Sequence, residues 1–248
     1  MRFIPGARHA GRARYDRVMA IDAVIFDWGG TLTPWHTIDH AALWQSVCAP
    51  HFPGDDHLAA AIHAAEQEVW QRQVAEHRTG TMFHVFEQAG IKPTDAFLAT
   101  YVELWEPHTF TDPAALGVLT RLRAMGIKTG VLSNTLWPRS WHENIFRRDG
   151  VLDLFDGAVY SSEIDWAKPH REAFLAAMRA VNAADPANCV FIGDRPWDDI
   201  HGAKSVGMRG VLLPHSEVPP FDGVVPDAVI NDLTELPALI ESWSGLAA

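Results

Sequence analysis

Residues 23–33, Ala-Val-Ile-Phe-Asp-Trp-Gly-Gly-Thr-Leu-Thr, join an unbroken apolar run to an aspartate and a pair of glycines. Four consecutive apolar residues are typical of a strand that is buried on both faces of a parallel sheet. In open parallel α/β sheets, ligands bind at the carboxyl ends of the strands. The stretch therefore predicts a buried strand whose carboxyl end presents Asp27 to a binding crevice.

Similar apolar runs recur along the chain, separated by segments with helical spacing. Further strands are predicted at residues 127–132, 158–160, 189–192, 210–213 and 228–230. Helices are predicted at residues 113–126, 169–181, 196–207 and 236–243. Alternation of this kind favours right-handed crossovers between parallel strands. The predicted fold class is therefore α/β, with a Rossmann-like doubly wound parallel sheet as the core.

The segment from residue 34 to residue 107 interrupts this alternation. It contains no convincing strand, and its apolar residues fall at helical spacing in residues 41–47, 58–74, 82–89 and 97–105. Roughly 75 residues is far too long for one crossover connection. We therefore predict that residues 34–107 form an all-helical cap, inserted after the first strand into a core of residues 20–33 and 108–248.

The first nineteen residues differ from the rest in charge. They hold five arginines against Asp16 alone, whereas the formal net charge of the whole chain is −11. No apolar secretory segment follows the arginines, so residues 1–19 are predicted to be a disordered leader. The alternatives are an Arg-rich transit peptide, or a true start at Met19.

The charge and composition of the rest of the chain exclude some classes of partner and indicate where the protein is located. A strongly acidic body should repel polyanions, so we expect no nucleic-acid partner. No apolar run approaches the roughly 18 residues that a membrane span needs, so we expect no membrane partner. Cys48 and Cys189 are far apart and suit reduced core residues of a cytoplasmic protein.

Polar residues follow four of the predicted strands. Asp27 follows the first, Ser133 and Asn134 the second, Lys168 the third after a short loop, and Asp194 the fourth. Because the carboxyl ends of parallel strands meet at one edge of the sheet, these side chains should converge. A lone aspartate after a strand is more often a helix cap than a nucleophile. The ordered set of polar strand ends, however, favours a catalytic site.

Four stretches in this order resemble the motifs of the haloacid dehalogenase (HAD) superfamily: residues 26–33, 131–135, 168–174 and 192–208. The helical insert is similar to the C1 type of cap in that superfamily. The resemblance spans residues 22 to about 213. It implies a magnesium-dependent hydrolase that cleaves a phosphate ester or anhydride of a small molecule, acting as a monomer or homodimer.

The resemblance also implies roles for individual residues. Asp27 would be the nucleophile that forms an aspartyl-phosphate, Ser133 would donate a hydrogen bond to a phosphoryl oxygen, and Lys168 would hold Asp27 ionised. Two anions must meet in this reaction, so a cation is needed. The implied ligands and supports of Mg²⁺ are Asp27, the backbone carbonyl of Gly29, Asp194, and Asp199 or alternatively Asp198.

The candidate substrate contacts are Gly30, Ser133, Asn134, Trp28 and Trp35. The two tryptophans flank the nucleophile loop and are candidates for the mouth of the site. Three more tryptophans occupy helical positions of the insert and are interpreted as cap core: Trp44, Trp70 and Trp105.

Gly29 departs from the family's phosphatases, which usually have aspartate at this position. That carboxylate protonates the leaving group and then activates water, and such general acid–base catalysis is worth roughly 10²–10⁴-fold. One interpretation is a slow phosphatase, or one whose substrate has a good leaving group. Another is an acid recruited from the following loop, where His36 and Asp39 are nearest in sequence. A third is different chemistry.

Two kinds of enzyme in the superfamily carry out a reaction other than phosphate-ester hydrolysis. Phosphonoacetaldehyde hydrolases have a small residue at this place but form an imine with a cap lysine, and Lys92 is the single lysine of the insert. Dehalogenases attack carbon without a metal, and would not need Asp194 together with Asp198 and Asp199. A non-catalytic binding protein on the same fold is the remaining alternative.

Overall fold

The computed structural model describes residues 20–215, 221 and 223–244, and these build a six-stranded sheet. The predicted leader, residues 1–19, lies outside the described residues. The strands are β1 (Ala23–Phe26), β2 (Lys128–Ser133), β3 (Gly157–Tyr160), β4 (Cys189–Gly193), β5 (Arg209–Leu212) and β6 (Ala228–Val229). They lie in the order β3-β2-β1-β4-β5-β6, and all pairings are parallel. The predicted doubly wound parallel sheet is confirmed.

The central strand, β1, is buried along its whole length. Its alternate residues enter different clusters, so that Val24 and Phe26 pack in one layer while Ala23 and Ile25 pack in the other. Side chains of successive strand residues point to opposite faces, and both faces here are covered by helices. Phe26 pairs with residues of both β2 and β4. The residue after it, Asp27, therefore lies where three strands end together.

Nine helices are present in the described part of the chain. They are α1 (His40–Cys48), α2 (Asp56–Glu76), α3 (Met82–Gln88), α4 (Asp95–Trp105), α5 (Ala115–Ala124), α6 (Arg139–Arg148), α7 (Arg171–Ala180), α8 (Gly202–Ser205) and α9 (Leu236–Ser244). Helices α5, α6 and α9 contribute to the layer with Val24, and α7 and α8 to the layer with Ile25. No helix within the described ranges is long and apolar enough to cross a membrane.

Helices α1 to α4 lie between β1 and β2, and we call them the cap. Each begins at a polar residue whose side chain accepts a backbone N–H of the first turn, which satisfies donors that have no partner inside the helix. These capping residues are Asp39, Asp55, Thr81 and Thr94. The apolar residues of the cap pack in a cluster that Leu136, Trp137 and Ile145 of the core also join. Its cap members include Trp44, Ile62, Val69, Phe97 and Tyr101.

The cap is also attached to the sheet layer away from its two chain connections. The indole Nε1 of Trp137, which follows β2, donates to the hydroxyl of Tyr101 at 3.0 Å, and both side chains are buried. The amide of Met82 donates to the carbonyl of Leu136 at 2.8 Å. The guanidinium of Arg78 lies 3.9 Å from the ring centre of Trp166. The cap and the sheet layer thus share apolar and polar contacts.

Two helical elements differ from the sequence-based expectation. Helix α6 was not predicted, because most of its residues are charged or polar and it buries only His142, Ile145 and Phe146. The single helix predicted at residues 196–207 is instead a π-helical turn (Pro196–His201) followed by the short α8. The wider turn contains Asp199, which is fully buried beneath the end of β4.

Candidate functional site

Three buried carboxylates gather at the carboxyl edge of the sheet. Asp27 follows β1, Asp194 follows the adjacent strand β4, and Asp199 comes from the π-helical turn. One oxygen from each lies within 4.8 Å of those of the other two. Carboxylates this close repel one another strongly in a buried site unless positive charge lies among them.

Part of that positive charge comes from Lys168. Its Nζ lies 2.6 Å from Oδ1 of Asp27 and 2.6 Å from Oδ1 of Asp199, and the side chain is buried. Burial alone would lower the pKa of Lys168, but the charges of Asp199 and Asp27 outweigh it and raise the pKa above the usual value. The ammonium therefore stays charged and forms ion pairs with both Asp27 and Asp199.

The backbone of Lys168 is held by Asn134. The side-chain Nδ2 of Asn134 donates to the carbonyl of Lys168 at 2.9 Å, and its Oδ1 accepts from the amide of Lys168 at 2.8 Å. Asn134, predicted as a substrate contact, also lines the cavity above Asp27, and its contact with a substrate stays a prediction. Ser133, the last residue of β2, is buried and lines the same cavity as Asp27.

Both carboxylate oxygens of Asp199 accept hydrogen bonds from the protein itself. Besides Lys168, it accepts a hydrogen bond at Oδ2 from the amide of Arg195 at 2.9 Å. A Cβ at Gly193 would overlap this carboxylate, so only glycine fits there. With both oxygens already accepting, Asp199 positions Lys168. Asp198 is outside the group of three carboxylates and lies on the cavity wall.

The loop after β1 folds back on itself directly after Asp27. The amide of Thr33 donates to the carbonyl of Trp28, and the amide of Gly30 donates to the carbonyl of Thr33, both at 2.8 Å. Gly30 has φ +85°, and a Cβ there would lie 2.6 Å from Oδ2 of Asp194, so this position requires glycine. Gly29 is different, because a Cβ there would meet no atom within 4 Å.

The environment of Asp194 fits a divalent cation. Burial, and then the charges of Asp27 and Asp199, raise the pKa of Asp194. Its Oδ1 is buried and has no hydrogen-bond partner among the described residues, whereas Oδ2 lies 2.7 Å from Nε2 of His215. A bound cation would satisfy the first oxygen and keep the group ionised. Oxygen donors of this kind suit Mg²⁺.

A cavity of about 860 Å³ opens above these carboxylates, between the sheet edge and the cap. Its sheet side includes Asp27, Gly29, Ser133, Lys168 and Arg195. Both tryptophans predicted at its mouth line it, as do two of the three assigned to the cap core. These four are Trp28, Trp35, Trp70 and Trp105.

The two acids considered as replacements, His36 and Asp39, also line the cavity. Asp39 already accepts a hydrogen bond from the amide of Ala42 at 2.9 Å as the cap of α1. Lys92 is exposed and is not among the residues that form the cavity wall. The geometry therefore gives no support to an imine on that lysine.

Sequence reasoning missed three features of the site. His215, in contact with Asp194, follows a predicted strand by two residues, and this position could have marked it. The cavity face of α2 was readable from helical spacing, since His63, Glu66, Trp70 and Val74 recur every three to four residues. The contact between Glu66 and His40, 3.0 Å apart, joins α2 to α1 and had no signal in the sequence.

Known proteins resemble the chain in sequence and in fold. It is 33% identical over 129 residues to the glyceraldehyde 3-phosphate phosphatase of Pyrococcus furiosus, and this match spans about half of that relative, 52% of each chain. It is 28% identical to the enzyme of the same name from Methanopyrus kandleri, over 87% of this chain and 95% of the relative.

Two solved structures show the same fold. A HAD phosphatase from Thermococcus onnurineus superposes with a TM-score of 0.65 at 22% identity, covering 88% of this chain and 97% of the other. An L-2-haloacid dehalogenase from Xanthobacter autotrophicus superposes with a TM-score of 0.62 at 19% identity, covering 89% and 98%. The family model for haloacid dehalogenase-like hydrolases matches residues 21–207. With its sheet, its clustered aspartates and this match, the chain belongs to the family of haloacid dehalogenase-like hydrolases.

Proposed function

We propose that the protein is a magnesium-dependent phosphatase that cleaves a phosphate ester or anhydride of a small molecule through an aspartyl-phosphate on Asp27. The observation that carries this proposal is the position of Lys168, whose ammonium lies 2.6 Å from both Asp27 and Asp199. A carboxylate kept ionised beside further carboxylates is suited to attack phosphorus once a cation neutralises the site.

The chain's own residues divide the work of the first step. An oxygen of Asp27 attacks phosphorus and the bond to the leaving oxygen breaks, which transfers the phosphoryl group to the enzyme. Lys168 offsets the negative charge of the transition state, and Ser133 is the hydroxyl available to a phosphoryl oxygen. When bound by Asp27, Asp194 and the carbonyl of Gly29, Mg²⁺ would neutralise the charge between nucleophile and phosphate.

The second step is hydrolysis of the aspartyl-phosphate by water, and here Gly29 matters. Because glycine has no side chain, this position has no carboxylate to take the proton of the water or to give one to the leaving group. Of the two candidate replacements in the following loop, Asp39 accepts a hydrogen bond at the start of α1, and His36 lies on the cavity wall. Turnover is therefore expected to be slow with poor leaving groups.

The relatives support a small phosphorylated substrate. Two of them are named glyceraldehyde 3-phosphate phosphatases, although for one the alignment covers only half of the relative. The net charge of −11 opposes binding of nucleic acid. We propose a cytoplasmic enzyme that acts as a monomer or homodimer without nucleic-acid or membrane partners, with residues 34–107 as its cap.

A metal-dependence assay tests the proposal. Hydrolysis of p-nitrophenyl phosphate should be measurable with Mg²⁺, should fall to background with EDTA, and should return when Mg²⁺ is added in excess. The reason is that three buried carboxylates repel a phosphate unless a cation lies among them. Equal turnover in EDTA and in Mg²⁺ would contradict the proposal.

Restoring the missing carboxylate is a second test. Gly29→Asp should raise the turnover of esters with poor leaving groups by about tenfold or more, because the new group can supply acid–base catalysis. The position has open space for the side chain. Gly29→Asn is the matched control, since it has the same shape without a titratable proton, and it should give no gain. If Gly29→Asp binds metal and gives no gain, the acid lies elsewhere or the chemistry differs.

Dehalogenation is the second candidate function, because Gly29 removes the group that phosphatases need and dehalogenases do without. The two functions separate in one pair of assays. A dehalogenase would release chloride from 2-chloropropionate in the presence of EDTA, whereas the proposed phosphatase would release none with or without Mg²⁺.

A further inference from the structure

The proposed phosphatase has a cavity wall that indicates what the phosphate is attached to. Resting on that proposed function, we infer that the leaving group of the substrate carries a planar aromatic ring, bound against the tryptophans that line the cavity beyond the reacting aspartate. This commits the site to ring-bearing phosphate esters over short open-chain ones.

Four indole rings face one cavity. Trp28 and Trp35 come from the loop after β1, Trp70 from the middle of α2, and Trp105 from the end of α4. All four side chains are partly exposed, and Trp35 is 39% exposed. Trp35 stacks on His215 with 4.9 Å between ring centres, so a ligand ring would meet its other face or its edge. Indoles offer wide flat surfaces that stack on other rings with little loss of side-chain entropy. A wall of this kind favours a flat apolar ligand over a hydrated chain of hydroxyls.

Histidine rings extend the aromatic wall around Trp105. The ring of His40 lies 5.6 Å from Trp105 and that of His108 lies 6.4 Å away, both at steep angles. The ring of His36 lies 5.3 Å from His108. All of these residues line the same cavity. Around Trp105 the cap side of the cavity is thus largely aromatic.

The cap wall also offers polar groups without a free carboxylate at its centre. Glu66 is buried, and its Oε2 lies 3.0 Å from Nε1 of Trp44 and 3.0 Å from Nδ1 of His40. The hydrogen bond to Glu66 raises the pKa of His40. Gln67 and Gln71, on the same face of α2, are exposed to the cavity. Polar atoms on the edge of a ring would find donors and acceptors there.

The size of the cavity agrees with a ring. Sites of roughly 300–1,000 Å³ hold ligands of drug size and are lined mainly by apolar and aromatic side chains. The cavity here measures about 860 Å³. A phosphorylated three-carbon molecule would leave most of this space to water, and a ring-bearing ester would fill more of it.

The experiment compares matched phosphate esters in the presence of Mg²⁺. Uridine and adenosine 5′-monophosphates and pyridoxal 5′-phosphate carry rings, whereas glyceraldehyde 3-phosphate and glycerol 3-phosphate do not. We expect kcat/KM to be at least about tenfold higher for one of the ring classes. Comparing the two nucleotides with pyridoxal 5′-phosphate then shows whether the enzyme prefers a nucleoside or another aromatic leaving group.

Variants of the wall test whether the indoles cause the preference. Trp70→Leu and Trp105→Leu should lower kcat/KM for the preferred ring ester about tenfold more than for the open-chain esters. Trp70→Phe should restore most of the loss, because it restores a ring. Trp141→Leu is the matched control, since this tryptophan packs near Tyr101 and is not among the residues of the cavity wall. It should leave both classes of ester unchanged.

The contradicting outcomes are distinct. If open-chain esters are hydrolysed as well as ring esters, or if Trp70→Leu and Trp105→Leu lower both classes equally, the inference is wrong and the phosphatase proposal stands. If no ester is hydrolysed, including p-nitrophenyl phosphate, the phosphatase proposal is wrong, and the inference that rests on it is wrong as well.

Discussion

Asp27→Asn is expected to reduce the turnover of p-nitrophenyl phosphate by at least about 10³-fold, because an amide is not a nucleophile toward phosphorus. The variant should still fold. Its side chain has the same shape, and Lys168 keeps its second contact, to Asp199 at 2.6 Å. The measurement is kcat with saturating Mg²⁺, together with a thermal unfolding midpoint. Acid-quenched wild-type enzyme should carry a phosphoryl group that the variant lacks.

Asp22→Asn is the matched control for this change. Asp22 immediately precedes the same strand at its opposite end, is exposed, and accepts a hydrogen bond from Asn188. The same loss of charge there should change kcat by less than about twofold. Turnover that survives in Asp27→Asn, at a level near that of Asp22→Asn, would overturn the assignment of the nucleophile.

Lys168→Met is expected to abolish activity and also to destabilise the metal-free protein by about 3 kcal/mol or more. The ammonium is buried and touches two carboxylates, so its removal leaves negative charges facing each other without solvent. Added Mg²⁺ should recover part of the lost stability, because it binds the folded state. Urea unfolding with and without Mg²⁺ measures both effects.

Two further variants show whether charge causes the loss of stability. Lys204 pairs with Asp227 at 2.7 Å on the surface, so Lys204→Met should cost no more than about 1 kcal/mol. Adding Asp199→Asn to Lys168→Met should restore stability, since it removes one uncompensated carboxylate. If the double variant is less stable than Lys168→Met, packing rather than charge explains the loss.

The positions of the strands along the chain could be predicted, because strands buried in a parallel sheet have sequences that are unbroken apolar runs. The run at residues 23–26 matches β1, and the predicted run at 189–192 ends one residue before β4 does. Helix α6 escaped prediction for the converse reason. Its buried face holds His142, which is neutral because burial lowers its pKa to about 3, so an apparently polar residue serves as core.

The site could be predicted as a set of residues, but the internal partners of each residue could not. Asp27, Lys168 and Asp194 occupy strand ends, and strand ends of a parallel sheet must share an edge. The use of Asn134 as a support for Lys168 depends on where two loops meet in space. The same holds for His215 beside Asp194, 21 residues apart in sequence.

The attachments of the cap bear on how molecules reach Asp27. Besides its two covalent links, the cap is held by the buried pair of Tyr101 and Trp137 and by the stretch around Arg78 and Met82. A swing of the whole cap about a hinge would strip apolar surface from two large aromatic side chains, at roughly 1.5–3 kcal/mol each. Substrate and product are thus expected to enter and leave beside residues 34–39, which line the cavity and are mostly exposed, while the cap stays in place.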